Sequence, residues 1–345
     1  GVFVMTDLSI HELSLGFAHD KQMLTDFLAK HHLNYEDDIE AAFGVFDADE
    51  NLIGCGCCAG NLLKCFAVDE SLRGQNALGS LVSRLVENRF AAGHYDLFVI
   101  TRPKNKVLFT SCGFYPLAET ESVLMLENKK NGLDNFYKKF LAGTEDSDNI
   151  GCIVMNCNPF TKGHLALITY AARACDLLHI FVVEENRSQF PFADRLRLVR
   201  EGTDHLANVI VHPSGPYMIS NATFPTYFLK EGEDAAKIQS ELDITLFASR
   251  IAPLLHIKKR FAGEEPFDPV TRNYNEAMIR LLPQYSISFI KIARTTAEAP
   301  EGKPEVISAS RVRKLLAETG VTEEVLQLVP PCTAQYLKNE FGARP

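Results

Sequence analysis

Apolar residues along the chain recur in short unbroken runs and in helix-spaced sets, and residues 150–186 show both kinds in their clearest form. Residues 150–155 are a continuous apolar run, rich in β-branched side chains and flanked by polar ones, which predicts a buried strand. The loop 156–164 follows, where an Asn-Pro step and a glycine interrupt both regular structures. Residues 165–175 carry apolar side chains at helical spacing, and 177–183 form a second unbroken run. A strand–loop–helix–strand order with runs this apolar predicts a parallel sheet covered on both faces, joined by a right-handed crossover.

The same reading extends in both directions. Before residue 130 it predicts a compact α/β unit, with strands at 8–13, 41–47, 52–58, 62–68, 94–101 and 122–126 and helices at 21–32, 78–92 and 104–111. Residues 133–141 have helical periodicity, and a polar loop follows them. They predict a helical connector over 130–149 and a domain boundary near residue 130, giving domains 1–129 and 130–345. Beyond the central unit come a basic amphipathic helix at 192–201, a strand at 209–212, an aromatic, loop-rich stretch through Phe228 and a helix at 235–253. Strands at 256–261 and 285–292 are followed by a loop leading into a helix after Glu305, with Ser308 or Ser310 as N-cap and Gly320 as its stop.

Composition narrows the function classes. With 345 residues, 46% of them hydrophobic and 23% charged, the chain has the makings of two ordinary globular cores. The formal net charge of −9 argues against a nucleic-acid partner, and no apolar run approaches the length of a membrane span. Nine cysteines, an odd number without disulfide spacing, in a sequence showing no secretory n-region and h-region, predict a reducing cytoplasm. Cys55 and Cys57 would share one face of a strand while Cys58 points away, a poor zinc geometry, so small buried hydrophobes are the reading preferred there.

Candidate chemistry gathers at two helix starts. The first turn of a helix offers backbone N–H groups without intrahelical partners and the positive end of the macrodipole, a natural seat for phosphate. Thr161, Lys162 and His164 fall in such a turn, and Gly163 would let a ligand approach the backbone. The plainer reading is that Thr161 caps the helix and His164 packs under the loop. Ser308, Ser310 and Arg313 stand at the second start, where an arginine fork can hold phosphate oxygens in two parallel bonds. Arg195, near the start of the 192–201 helix, could also reach phosphate. Gly263, Glu264 and Glu265 follow a strand, at the carboxyl end where a parallel sheet gathers ligands, and are binding candidates or a plain surface turn.

Thr161-Lys162-Gly163-His164 and Ile307-Ser308-Ala309-Ser310-Arg311-Val312-Arg313 together resemble the two signatures of the nucleotidyltransferase superfamily, HxGH and I-S-x-T-x-x-R. Threonine replaces the first histidine, and serine replaces the threonine. Asn158-Pro159-Phe160 before the first signature, residues 190–196, 221–228 and 261–267, and the second signature resemble the citrate lyase ligase family through essentially the whole chain. The N-terminal region resembles GNAT acetyltransferases, with residues 68–78 where that family places its pyrophosphate loop and Cys112-Gly113-Phe114 at its later turn. Asn76 and Leu78 stand where that loop normally has small residues, which favours a structural or docking role, while Arg73 and Gly74 keep the alternative of an active acetyltransferase open. The resemblance thus implies an α/β fold class, a GNAT-like α/β domain followed by a Rossmann-like nucleotidyltransferase domain with a parallel sheet.

It also implies a reaction. ATP and acetate would give acetyl-adenylate and pyrophosphate, and a thiol on the citrate lyase acyl-carrier subunit would take the acetyl group. His164 and Thr161 would serve the α-phosphate, Ser308, Ser310 and Arg313 the β- and γ-phosphates, and Mg²⁺ would ride on phosphate oxygens with few protein ligands. Asn158, Pro159, Phe160, Lys162 and Gly163 would line the nucleotide, with a solvent-facing Lys162 an equal reading, and residues 217–228 would wall a pocket or dock the carrier. Glu264 and Glu265 would contact the ribose or base. Two rival functions remain at this point: adenylylation of a phosphate such as phosphopantetheine or a pyridine mononucleotide, and a nucleotide-sensing module without turnover.

Overall fold

The computed structural model describes residues 9–72, 75–141, 147–185, 188–219, 223–264, 269–293, 296–298 and 304–342. The first elements in chain order are β1 (Ile10–Leu13), α1 (Ala18–Lys30), β2 (Ala41–Phe46), β3 (Leu52–Ala59), β4 (Leu62–Val68) and α2 (Ala77–Ala91). They are followed by β5 (Phe98–Thr101), α3 (Lys106–Ser111), β6 (Tyr115–Glu119), β7 (Leu124–Glu127) and α4 (Gly132–Tyr137). Next come β8 (Ile150–Met155), α5 (Lys162–Arg173), β9 (Leu177–Val182), α6 (Phe192–Thr203), β10 (Val209–Pro213) and α7 (Ala235–Leu246). After a π-helical stretch, Phe247–Ile251, stand α8 (Ala252–Leu254), β11 (Ile257–Gly263), α9 (Pro269–Leu281) and β12 (Ser288–Ile292). A small ribbon, β13 (Thr296–Glu298) and β14 (Pro304–Val306), precedes α10 (Ala309–Thr319), α11 (Glu323–Gln327) and α12 (Pro331–Phe341).

The chain divides into two units, one of residues 1–132 with 223–246 and the other of residues 133–222 with 247–345. The first unit holds a seven-stranded sheet in the order β1-β2-β3-β4-β5-β7-β6. All of its pairings are antiparallel except β4 with β5, which run parallel over only Leu62–Phe98 and Leu63–Val99. Strands β2 to β4 form a meander because polar turns interrupt apolar runs: Asp47 Oδ1 accepts from the N–H groups of Asp49 and Asn51, and Gly60 takes φ 54°. Cys55, Cys57, Cys58 and Cys65 are all wholly buried in these strands, and burial pushes the Cys58 thiol up to about 11. None of the nine cysteines is in a disulfide.

The second unit holds a five-stranded parallel sheet in the order β10-β9-β8-β11-β12, as the unbroken apolar runs require. Its core unites β8 and β9 with Ile168, Ala171 and Ala172 of α5 and Leu198 and Val199 of α6. A second cluster joins Phe190 and Ile307 to Val312, Val325, Leu328, Val329 and Leu337, which seats α10 to α12 beside the loop after β8.

One part of the division departs from the sequence reading. The expected second domain ran unbroken from residue 130, but residues 223–246 fold into the first unit. There Tyr227 is buried and donates its hydroxyl hydrogen to the Ile100 carbonyl at 3.0 Å, Arg102 donates to the Phe228 carbonyl at 3.1 Å, and α7 packs on β6. Within 217–228, Tyr217 is buried in the second unit and Tyr227 in the first. Residues 220–222 lie outside the described ones. Elements the periodicity did not single out include β6, α9 and α12. Among the described residues, no helix is long and apolar enough to cross a membrane.

Candidate active site

The loop after β8 sits at the carboxyl end of the parallel sheet, and its own residues hold it in shape. Cys157 is buried at φ 52°, the Asn158–Pro159 peptide is cis, and Phe160 is wholly buried among the apolar side chains of α5 and α6. Thr161 has extended backbone and caps α5, its Oγ1 accepting from the His164 N–H at 3.3 Å. The Thr161 N–H in turn donates to His164 Nδ1 at 3.0 Å, a reciprocal capping box with histidine in the place usually taken by a carboxylate or amide. Because Nδ1 accepts, the imidazole carries its proton on Nε2. The ring lies nearly parallel to Phe160, with centroids 6.1 Å apart and planes 12° from one another. The half-buried imidazole is thus fixed in both tautomer and orientation.

The second helix start meets the first. Ser308 caps α10, its Oγ accepting from the Arg311 N–H at 3.2 Å, and Ser310 is exposed in the first turn. A Cβ on Gly163 would lie 2.8 Å from the Ile307 carbonyl oxygen, so the backbone of the second motif abuts the first turn of α5. Arg313 Nη1 donates to the Asn158 carbonyl at 2.5 Å, and Asn158 Oδ1 accepts from the Phe190 N–H at 3.1 Å. Burial pulls the Arg313 guanidinium below its ordinary pKa. The two motifs, far apart in sequence, are neighbours around one loop.

Several candidates occupy roles other than those expected. Thr161 is 1% exposed, and its hydroxyl serves the helix cap and the imidazole. The Gly163 position is taken up by Ile307 rather than left open to a ligand. Lys162 donates its backbone N–H to the Leu328 carbonyl at 3.0 Å, and its exposed side chain lines a shallow outer groove of α5 with Leu165, Tyr170 and Arg173. Arg195 is 0% exposed and directs its guanidinium at the carbonyls of Asn156, Val183, Glu185 and Phe190, so it holds the loop and cannot reach phosphate. Gly263 ends β11 with open space beside it, while Glu264 is exposed and pairs with Lys291 at 3.1 Å. Glu265 lies outside the described residues, as do Arg73 and Gly74 of the first unit.

Two participants were missed: Asn156, which meets Arg195 with carbonyl and side-chain oxygens, and Ile307, whose carbonyl closes on Gly163. A signal for Arg195 was present, since Phe192, Arg195, Leu198 and Val199 recur on one helical face, the buried one. Among the described residues, no three His, Cys, Asp or Glu side chains converge as a metal cage. The side chains that remain for an anion are the half-buried His164 imidazole, the exposed Ser310 hydroxyl and the half-buried Arg313 guanidinium.

Residues 150–337 match the family described as the citrate lyase ligase C-terminal domain. The citrate (pro-3S)-lyase ligase of Klebsiella pneumoniae is 39% identical over 322 residues, covering 92% of this chain and 92% of that protein. A GNAT-family acetyltransferase from Staphylococcus aureus Mu50 is 11% identical with a TM-score of 0.30, over 35% of this chain and 100% of that one. A bifunctional NMN adenylyltransferase/ADP ribose pyrophosphatase from Francisella tularensis is 13% identical with a TM-score of 0.35, over 55% of this chain and 49% of that one.

Proposed function

The chain belongs to the citrate lyase ligase family and is a ligase, and from that premise we propose that it acetylates the thiol prosthetic group of the citrate lyase acyl-carrier subunit, using ATP and acetate. An acetate oxygen attacks the α-phosphorus, giving acetyl-adenylate and pyrophosphate. The carrier thiol then attacks the acetyl carbonyl, a carbon–sulfur bond forms, and AMP leaves with the electron pair of the broken acyl–oxygen bond.

The observation that carries this reading is the meeting of the α5 and α10 starts around His164. Attack at the α-phosphorus builds charge on its oxygens and on the departing pyrophosphate, so the step calls for positioning and hydrogen-bond donors and needs no enzyme nucleophile. His164, protonated on Nε2, donates to an α-phosphate oxygen, and Thr161 acts through His164 by holding the ring. Arg313 and Ser310 take the β- and γ-phosphates, and Ser308 contributes by capping α10. Asn158, Pro159 and Phe160 form the floor, while Gly263 and Glu264 stand at the end of β11 where the ribose or base would lie. Mg²⁺ arriving with ATP would supply neutralising charge at its phosphates.

Mass spectrometry of the purified thiol-form carrier, after incubation with enzyme, ATP and isotope-labelled acetate, tests the proposal. A labelled acetyl group on the carrier, with AMP and pyrophosphate released, is the expected result. An unmodified carrier together with a stable pyrophosphate-linked dinucleotide would overturn it in favour of adenylyl transfer to a phosphate. ATP binding without pyrophosphate release would leave only a sensing module.

A further inference from the structure

We infer that Arg195 is a positioning residue for adenylation: buried beneath the loop after β8, it sets that loop, and with it His164, while placing a buried positive charge behind phosphates that it never touches. This rests on the proposed ATP chemistry at the same loop. Arg195 Nε donates to the Phe190 carbonyl at 3.0 Å and Nη2 to the Glu185 carbonyl at 2.7 Å. Nη1 donates to the Val183 carbonyl at 3.0 Å and faces both the carbonyl and Oδ1 of Asn156, each at 2.6 Å. These acceptors belong to three turns: the exit of β8, the exit of β9 and the approach to α6. One planar fork of fixed donors joins them, which a lysine with a single nitrogen cannot do.

Among the described residues, no carboxylate forms an ion pair with this guanidinium. Carbonyl and amide oxygens accept its hydrogen bonds, and burial pulls its pKa down, while the Glu185 carboxylate opposes that shift without a direct contact. The guanidinium charge lies at the carboxyl ends of β8 and β9, where a parallel sheet gathers its ligand, and in surroundings of low polarisability that transmit it strongly. The loop is then held by two arginines with different duties. Arg195 takes Asn156, Arg313 takes Asn158, and Thr161 with its capped histidine follows three residues later. Fixing the loop fixes the direction of the α5 N-terminus.

The test compares wild-type enzyme with Arg195→Lys in acetate-dependent ATP–pyrophosphate exchange and in hydrogen exchange of residues 156–164. For Arg195→Lys, kcat should fall about a hundredfold with the ATP KM changed less than about threefold, the signature of a displaced reacting group. Amides of the loop should exchange at least about tenfold faster while the remaining amides stay protected. A KM rise at constant kcat would make Arg195 a direct phosphate contact and overturn the inference. So would a lower melting temperature alone, with kcat, KM and loop protection unchanged. Should Arg195→Lys not fold, Asn156→Ala removes one acceptor from an exposed residue and should lower kcat about tenfold at unchanged KM. An unchanged kcat in that variant would contradict the inference as directly. A wild-type protein lacking acetate-dependent exchange would refute the proposed reaction, while hydrogen exchange would still report whether Arg195 holds the loop.

Discussion

Two of the helices that follow a strand and its loop, α2 and α5, have different fates. α2 follows β4 and begins after Asn76, which takes a left-handed φ of 51° and makes no side-chain cap. Its amide lies back over the helix, since a Cβ on Gly79 would come within 2.5 Å of Asn76 Oδ1. α5 follows β8 and begins with a closed capping box, and a segment more than a hundred residues away supplies Ile307 against Gly163 and Arg313 against Asn158. Every helix N-terminus favours an anion to some degree. What distinguishes α5 is the second helix start brought to it, together with an imidazole whose tautomer the backbone has set.

This contrast can be broken by substitution. His164→Ala should lower acetate-dependent ATP–pyrophosphate exchange by about 10²–10³-fold, since it would remove the donor proposed for the α-phosphate. Circular dichroism should find the fold intact, and unchanged exchange in the folded variant would take α5 out of the chemistry. The next largest effect is expected at Gly163. An added methyl group meets a carbonyl oxygen at 2.8 Å, so Gly163→Ala should drive α10 from α5, costing about 1–3 kcal/mol of stability and at least about tenfold in kcat. Gly79→Ala meets only a swinging side chain and should change denaturant stability by less than about 1 kcal/mol, with exchange unaltered. Equal behaviour of the two glycines would erase the distinction between the helix starts.

Acid should act on the second unit through a different pair. His179 Nδ1 and His212 Nε2 lie 3.0 Å apart on β9 and β10, both buried, and desolvation lowers their pKa values from 6.5 to about 4 and about 3. The unfolded chain therefore binds more protons below pH 6.5. Stability is undiminished above that value, falls as the pH drops through this window, and levels off once the folded pair is itself protonated. A loss on the order of 4 kcal/mol between pH 7 and pH 5, about half from each histidine, is expected from denaturant titrations, and His179→Phe/His212→Phe should flatten it. An equally steep loss in the double variant would assign the acid sensitivity elsewhere.

The parts legible in the sequence were those whose physics is local. An unbroken apolar run ending at Met155, an Asn-Pro step and helical spacing after Thr161 require little context, and β8, its loop and α5 lie where they were expected. Ser308 and Gly320 do bound α10, because capping is a short-range property. What failed depended on distant partners. Residues 223–228 are aromatic and loop-rich and 235–246 helical, but nothing in them says whose core Tyr227 fills. β6 carries Pro116 and two buried residues, too weak an alternation to read as a strand. An arginine one turn into a helix has the same letters whether it meets a phosphate or four carbonyls, and only its place on the apolar face of α6 hinted at the second. Thr161 was legible as a cap. That its partner would be the imidazole three residues on was not.

A crystal structure of the enzyme with a non-hydrolysable ATP analogue would test the central claim most directly. The α-phosphate should lie within hydrogen-bond distance of His164 Nε2, and the β- or γ-phosphate within reach of Arg313, in one and the same nucleotide. A triphosphate bound away from α5, or one touching His164 with Arg313 uninvolved, would contradict it.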